Sequence, residues 1–298
     1  MAVLGQILKW AFRLILGGII VAGMSACTML VLNYASLETE NKPAPTPNFS
    51  LPFDDVETRA TLENELYGPW PGNLPVTAGE ARVVDADYLD GRGTLEEITL
   101  TIGEGETART FPVVIAYPNA AKSAPVPLII SQTFSSNCSV FPDQLVTQIG
   151  GTICGDNPPE GWWQKFQYAS FEFLATNIFG TYIAYAPIDR YFDAGLAYAS
   201  FPGWSFVPDS NASAQLVMAD LAPGPQPTSA LMSWAFAYHA AAGVLGSDPR
   251  INAGAVAAMG HSRYGKSSLI AAGWSDRIAA AIAHQSGFGG GSALDAHL

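Results

Sequence analysis

The sequence predicts an α/β fold built on a mostly parallel sheet, and three observations predict it. Apolar runs of strand length at 126–134 (VPLIISQTF), 181–188 (TYIAYAPI) and 253–260 (AGAVAAMG) are the kind expected of strands buried on both faces. Helical segments at 229–246 and 262–274 stand between the later strands. Strand, helix, strand, helix, strand in succession is the order that places helices on the faces of a parallel sheet. The 298 residues are 49% hydrophobic, 11% aromatic and 13% charged, which is enough apolar side chain for a core and too little charge for a disordered chain. A net charge of −12 excludes nucleic acid as a partner, because phosphates need clustered Lys and Arg.

The first segment, residues 1–37, is an export signal or an anchor. Lys9 and Arg13 precede an uncharged run from Leu14 to Leu37. Three readings stand side by side. The run can span a bilayer with its N-terminus in the cytoplasm. LILGGIIVAG can be the apolar region of a cleaved signal peptide. Met24-Ser25-Ala26-Cys27 loosely resembles a lipoprotein cleavage box, which makes Cys27 a lipidation candidate. All three put the rest of the chain on the periplasmic or extracellular side, with the membrane as a partner through this segment.

Residues 38–94 read as a linker and an acidic extension. NKPAPTPNFSLP is Pro-rich and polar, and turn signals follow at GPWPGN and DGRG. Residues 95–298 read as the folded domain. LEEITLTI (95–102) and RTFPVVIAYP (109–118) form a hairpin about the turn GEGET. After the strand at 126–134 comes a long loop to about residue 164, holding Cys138, Cys154, Trp162 and Trp163. A second long loop, 189–227, follows the strand at 181–188 and holds Trp204. The helix at 229–246 ends at Gly246, and RIAAAIAHQSG (277–287) is a last strand. In an oxidising compartment Cys138 and Cys154 are disulfide candidates, a bridge worth about 3 kcal/mol in the chain-entropy model. The alternative is two separate buried thiols. No C-x-x-C or H-x-x-x-H spacing occurs, so no metal site is expected.

The chemistry concentrates where the strand 253–260 runs into Gly260-His261-Ser262-Arg263-Tyr264-Gly265 and then at once into a helix. Strand, sharp turn and helix are the setting of a nucleophile elbow. There a serine hydroxyl stands over the C-terminal edge of the sheet, and backbone N–H groups at the helix start can donate to an oxyanion. The usual spacing is G-x-S-x-G, and here the second Gly comes one place late. The competing reading is a serine that merely caps the following helix.

Gly260-His261-Ser262-Arg263-Tyr264-Gly265-Lys266 reproduces G-[CH]-S-R-x-G-K, the hallmark of the glucuronoyl esterases, carbohydrate esterase family 15. The flanks SALMSWAFAYHAAAGVLGSDPRINAGAVAAMG and DRIAAAIAHQSGFGGGSAL also resemble that family, so the likeness covers about 70 residues. The resemblance implies an α/β-hydrolase, a three-layer αβα sandwich. It implies Ser262 as nucleophile, Arg263 as oxyanion stabiliser and Lys266 as a contact to the sugar hydroxyls. The implied substrate is a glucuronate-ester carbohydrate of plant cell-wall xylan and lignin linkages. Two departures stand out. Fungal members carry a triad Glu where this chain has Gln285, and many bacterial members take the acid from a later loop. The family's His lies well past the Gly-rich loop, whereas this chain has only His284 and His297 after Ser262. The expectation is therefore a serine ester hydrolase domain whose C-terminal part, with acid and base, is missing from this chain, so that the 298 residues alone are expected to be nearly inactive. Two alternatives are an esterase for acetyl or other small esters and a degenerate carbohydrate-binding relative.

Overall fold

A computed structural model of the chain describes residues 55–72, 74–141, 145–149, 161–163, 186–287 and 290. All of them fall in one compact unit, Pro52–Leu294. The expected anchor with Cys27, most of the run 181–188, Cys154 and His297 lie outside the described residues. Among the described residues no helix is long and apolar enough to cross a membrane.

One eight-stranded sheet organises the unit. Its strands are β1 (Val76–Ala78), β2 (Arg82–Asp87), β3 (Gly93–Ile102), β4 (Arg109–Pro118), β5 (Val126–Thr133), β6 (Ala197–Pro202), β7 (Ile251–His261) and β8 (Ala280–His284). The order is β1-β3-β4-β6-β5-β7-β8, with β2 also on β3. The expected hairpin is present, with Ile102 opposite Arg109 and Gly93 opposite Pro118. The α/β class is borne out, but the sheet is mixed. β6, β5, β7 and β8 run parallel, while β1 to β4 and the β4–β6 pair are antiparallel. Two strands precede residue 95, within the stretch expected to be an extension. They are short and mostly exposed, so they carry no apolar run to find.

Alternation builds two cores from the same strands. Phe111, Val113, Ile115 and Tyr117 of β4, with Leu128 and Ile130 of β5, point into one cluster. Val114, Ala116 and Ile129 point into the other. The larger cluster takes in three helices, α3 (Asn211–Leu221), α4 (Ala230–Leu245) and α5 (Arg263–Trp274), after α1 (Asp55–Leu62) and α2 (Ile188–Asp193). The smaller is covered by Ile188 and Phe192 of α2 and by Cys138, Val140, Phe141 and Val146. Cys138 is buried and disulfide-bonded. α4 is apolar almost all round and accordingly buried on most sides.

Three details differ from expectation. Ile188, expected to end a strand, begins α2 directly after Pro187, whose fixed φ suits a helix start. The supposed loop 189–227 contains β6, fully buried between β4 and β5, and α3. The last strand is shorter than 277–287, because Gln285 (φ 45°) and Gly287 (φ 64°) turn the backbone left-handed just past His284.

Two adjacent acids in β3 explain how the hairpin is fastened. Glu96 and Glu97 point to opposite faces, and both are buried. Glu96 takes a two-pronged ion pair from Arg250, at 2.6 and 2.8 Å. Arg250 also binds Asp248 and stacks on Tyr117, 3.7 Å from the ring centroid. Glu97 accepts from Arg82 and from the backbone N–H of Thr147, which ties the segment after β5 to the sheet.

Candidate active site

Gly260 is the last residue but one of β7, where the backbone of α5 comes closest. A Cβ there would lie 2.3 Å from the backbone carbon and oxygen of Tyr264 and 2.8 Å from the nitrogen of Gly265. Only glycine allows the strand and the helix to meet this way. Gly265 is nearly as confined, with the carbonyl oxygen of Gly260 and the Cβ of Ser286 each 3.0 Å from its would-be Cβ. These two glycines clamp the turn between them.

Ser262 sits in that turn at φ 55° and ψ −123°, a region L-residues rarely occupy. Its N–H donates to the carbonyl of His284 on β8 (3.0 Å), and its own carbonyl accepts from the N–H of Lys266 (3.2 Å). Its hydroxyl makes no capping bond to α5. Two other helices give the contrast. Ser210 precedes α3 at φ −154° and accepts from Ser213, and Ser229 precedes α4 at φ −71° and accepts from Met232. Those are ordinary N-caps with extended backbone. Ser262 holds the same sequence position, with the wrong backbone and no cap bond, so the capping reading fails.

The misplaced glycine also has a physical account. Tyr264 occupies the place of the usual second Gly, and it is fully buried. Its ring packs edge-on to Trp234 (4.8 Å) and against Phe134 (4.5 Å). Room for it comes from Gly203, where a Cβ would lie 2.7 Å from the Tyr264 ring. Burial raises the Tyr264 pKa far above the usual phenol value. Close packing falls to Gly265 instead, one place on.

Arg263, the first residue of α5, is half-exposed. Its guanidinium pairs with Asp209 at 2.7 Å and lies 5.0 Å from the centroid of Phe134. Lys266 is half-buried one helical turn beyond Ser262, and among the described residues it has no ion-pair partner. His261 and His284 stand opposite each other on β7 and β8, with ring centroids 5.1 Å apart. Burial lowers the His261 pKa, and the neighbouring His284 lowers it further. Neither imidazole hydrogen-bonds the Ser262 hydroxyl. His239 belongs to the packing: it stacks on Phe236 and meets the Ser275 hydroxyl at 2.8 Å. Gln285 is exposed at the end of β8. Trp162 and Trp163 are exposed and touch edge to face, while Trp204 is half-buried beside Gly203.

A small cavity of about 40 Å³ opens at the C-terminal ends of β5 and β7, lined among others by Gln132, Phe134, Met259, His261 and His284. A larger one, about 300 Å³, lies at the other end of these strands beside Glu96, Tyr117 and Asp248. The first lies where parallel sheets take ligands. The second is walled by carboxylates already satisfied by Arg250.

A mixed sheet with a parallel half, buried cores on both faces and a sharp strand-to-helix turn between β7 and α5 make up an α/β-hydrolase fold. The family model described as fungal glucuronyl esterase matches residues 165–297, a span that holds the whole elbow. Among solved structures, a glucuronoyl esterase from Solibacter usitatus is 21% identical with a TM-score of 0.61, covering 81% of this chain and 60% of that one. A promiscuous CE15 esterase from a marine bacterial metagenome is 23% identical with a TM-score of 0.60, covering 79% and 58%. A CE15 glucuronoyl esterase from Teredinibacter turnerae is 21% identical with a TM-score of 0.53, covering 79% and 52%. No curated protein matches. The resemblance to the glucuronoyl esterases is borne out, and the chain spans about 50–60% of the length of these solved relatives.

Proposed function

We propose that the chain is a serine carboxylic-ester hydrolase acting on esters of glucuronic acid, or its 4-O-methyl form, in plant cell-wall xylan and lignin–carbohydrate linkages. The observation that carries the reading is the backbone of Ser262, strained at a strand-to-helix turn and free of any capping bond. Strain of this kind costs about 1–3 kcal/mol and persists where surrounding structure enforces it. Here the glycine clamp and the bond to His284 enforce it. The family match across the elbow supports the same reading.

In the proposed reaction the Ser262 oxygen attacks the ester carbonyl carbon while its proton passes to a histidine base. The oxyanion that forms meets the N–H groups of the first turn of α5, which have no partner within the helix. The Arg263 guanidinium adds positive charge there, and Lys266 donates to sugar hydroxyls. Collapse expels the alcohol, which takes the proton, and water then releases the acid from the acyl-enzyme. No cofactor is required. Neither His261 nor His284 is assigned as the base, since neither hydrogen-bonds the hydroxyl. Export through residues 1–37 and a Cys138–Cys154 bridge complete the proposal.

The test compares wild type and Ser262→Ala on methyl glucuronate and on p-nitrophenyl acetate. Where the protein also supplies the histidine base, the substitution should lower methyl glucuronate hydrolysis by about a millionfold. Turnover within tenfold of wild type would sink the serine mechanism. A strong preference for p-nitrophenyl acetate would move the substrate to small esters.

A further inference from the structure

We propose that Asp209 is the positioning residue for Arg263, an inference that rests on the esterase reading above. Arg263 follows the nucleophile directly, and its guanidinium has two anchors from two separate segments. One is the Phe134 ring just past β5; the other is the Asp209 carboxylate between β6 and α3. Both anchors are braced. Phe134 lies against Tyr264 at 4.5 Å and edge-on to His261 at 6.1 Å. The segment leading to Asp209 buries Phe206 and Val207, and the Trp234 indole N–H donates to the Val207 carbonyl at 3.2 Å. Ser210, the next residue, caps α3, and Asn211 accepts from the N–H of Ala230 at the start of α4. The carboxylate thus stands on a fixed mount.

A guanidinium has five N–H donors in a rigid fork. Asp209 engages Nη2, which leaves other donors for an oxyanion. Without it, a long side chain would have to give up rotamer freedom at the moment of reaction. The two side chains are 49% and 34% exposed, and exposed pairs of this kind add little to stability. Removing the pair therefore leaves the fold in place and isolates its effect on the chemistry.

The experiment uses the full chain and the variants Asp209→Asn, Asp209→Glu, Arg263→Ala and the Asp209→Asn/Arg263→Ala pair, with methyl glucuronate as substrate. Asp209→Asn should lower kcat about 10- to 100-fold with KM nearly unchanged, and Asp209→Glu should restore most of it. In the Arg263→Ala background Asp209→Asn should cost nothing more, because it acts through Arg263. An equal loss in both backgrounds, or none in either, overturns the inference. Binding of the glucuronate anion by calorimetry reads the same question without turnover. A positioning carboxylate makes Asp209→Asn bind more weakly. Tighter or unchanged binding means that Asp209 only competes for the positive charge, and the inference falls. Ser262→Ala separates the two failures. If it is as active as wild type, the esterase reading itself is wrong. If it is inactive while Asp209→Asn equals wild type, only the role of Asp209 is lost.

Discussion

Replacing Ser262 by Ala and by Gly separates the strain at the elbow from its chemistry. Both variants remove the hydroxyl, so both should be inactive. They differ in backbone. At φ 55° and ψ −123° an alanine bears the same steric conflict as serine, whereas glycine has no Cβ to conflict. The relieved strain is about 1–3 kcal/mol. Against it stands the extra freedom glycine gains in the unfolded chain, about 0.5–1 kcal/mol. The Gly variant should therefore be more stable than the Ala variant by about 0–2.5 kcal/mol, centred near 1 kcal/mol. The Ala variant should match wild type closely, because the Ser262 hydroxyl makes no capping bond whose loss would register. The assay is urea unfolding followed by fluorescence of the seven tryptophans, with midpoints compared at equal slope. A thermal melt gives a second reading, with about 2–4 °C per kcal/mol for a domain of this size. A Gly variant less stable than the Ala variant by 1 kcal/mol or more would refute the reasoning. It would mean that the turn is an ordinary relaxed one and the elbow reading has lost its physical basis.

Other substitutions test the supports of the site. Gly260→Ala places a Cβ 2.3 Å from immovable backbone and should cost about 3 kcal/mol or more, while Gly273→Ala in α5 meets open space and should gain up to about 1 kcal/mol; urea midpoints check both. Equal effects at the two positions would show that the clamp is not tight. Asp248 offers a pH test. Burial pushes its carboxyl up, but hydrogen bonds from Arg250 and Tyr117 outweigh that and hold it below its usual 3.8. A carboxyl depressed in the folded state contributes stability above pH 3.8 and loses it as pH falls through the folded value. Stability measured from pH 5 downward should therefore fall less steeply in Asp248→Asn than in wild type, and parallel curves would exclude the effect.

How much of this was legible in the sequence depends on distance along the chain. The hairpin of β3 and β4, the strands β5 and β7 and the helices α4 and α5 each carry an apolar pattern long enough to identify themselves. β6 does not. AYASFP is short and rich in Ala and Ser, and it is a strand because β4 and β5 leave a slot for it. β1 and β2 are likewise strands by pairing with β3 rather than by composition. The turn at Ser262 follows the same rule. Gly260, Ser262 and Gly265 lie within six residues, and their conflict is between neighbouring backbone atoms, so spacing alone exposes it. The exchange of Gly for Tyr at 264 looked like a defect in the motif, because the space that admits the ring is made by Gly203, sixty-one positions earlier.

Asp209 shows the limit from the other side. Nothing in Val207-Pro208-Asp209-Ser210 marks that carboxylate as different from the other acids of the chain, and its partner is fifty-four positions away. Only folding brings them together, by laying β6 beside β5 and so carrying the segment after β6 across to the start of α5. A nucleophile elbow is thus written locally, because its strain must be set by adjacent residues. The charge that would serve it is held by a distant loop, because a guanidinium at the end of a long side chain can be fixed only by something that meets it there. On the proposed esterase reading, the serine and its glycines set the class of chemistry. The loop that carries Asp209 is where relatives with the same elbow are free to differ in how firmly that chemistry is supported.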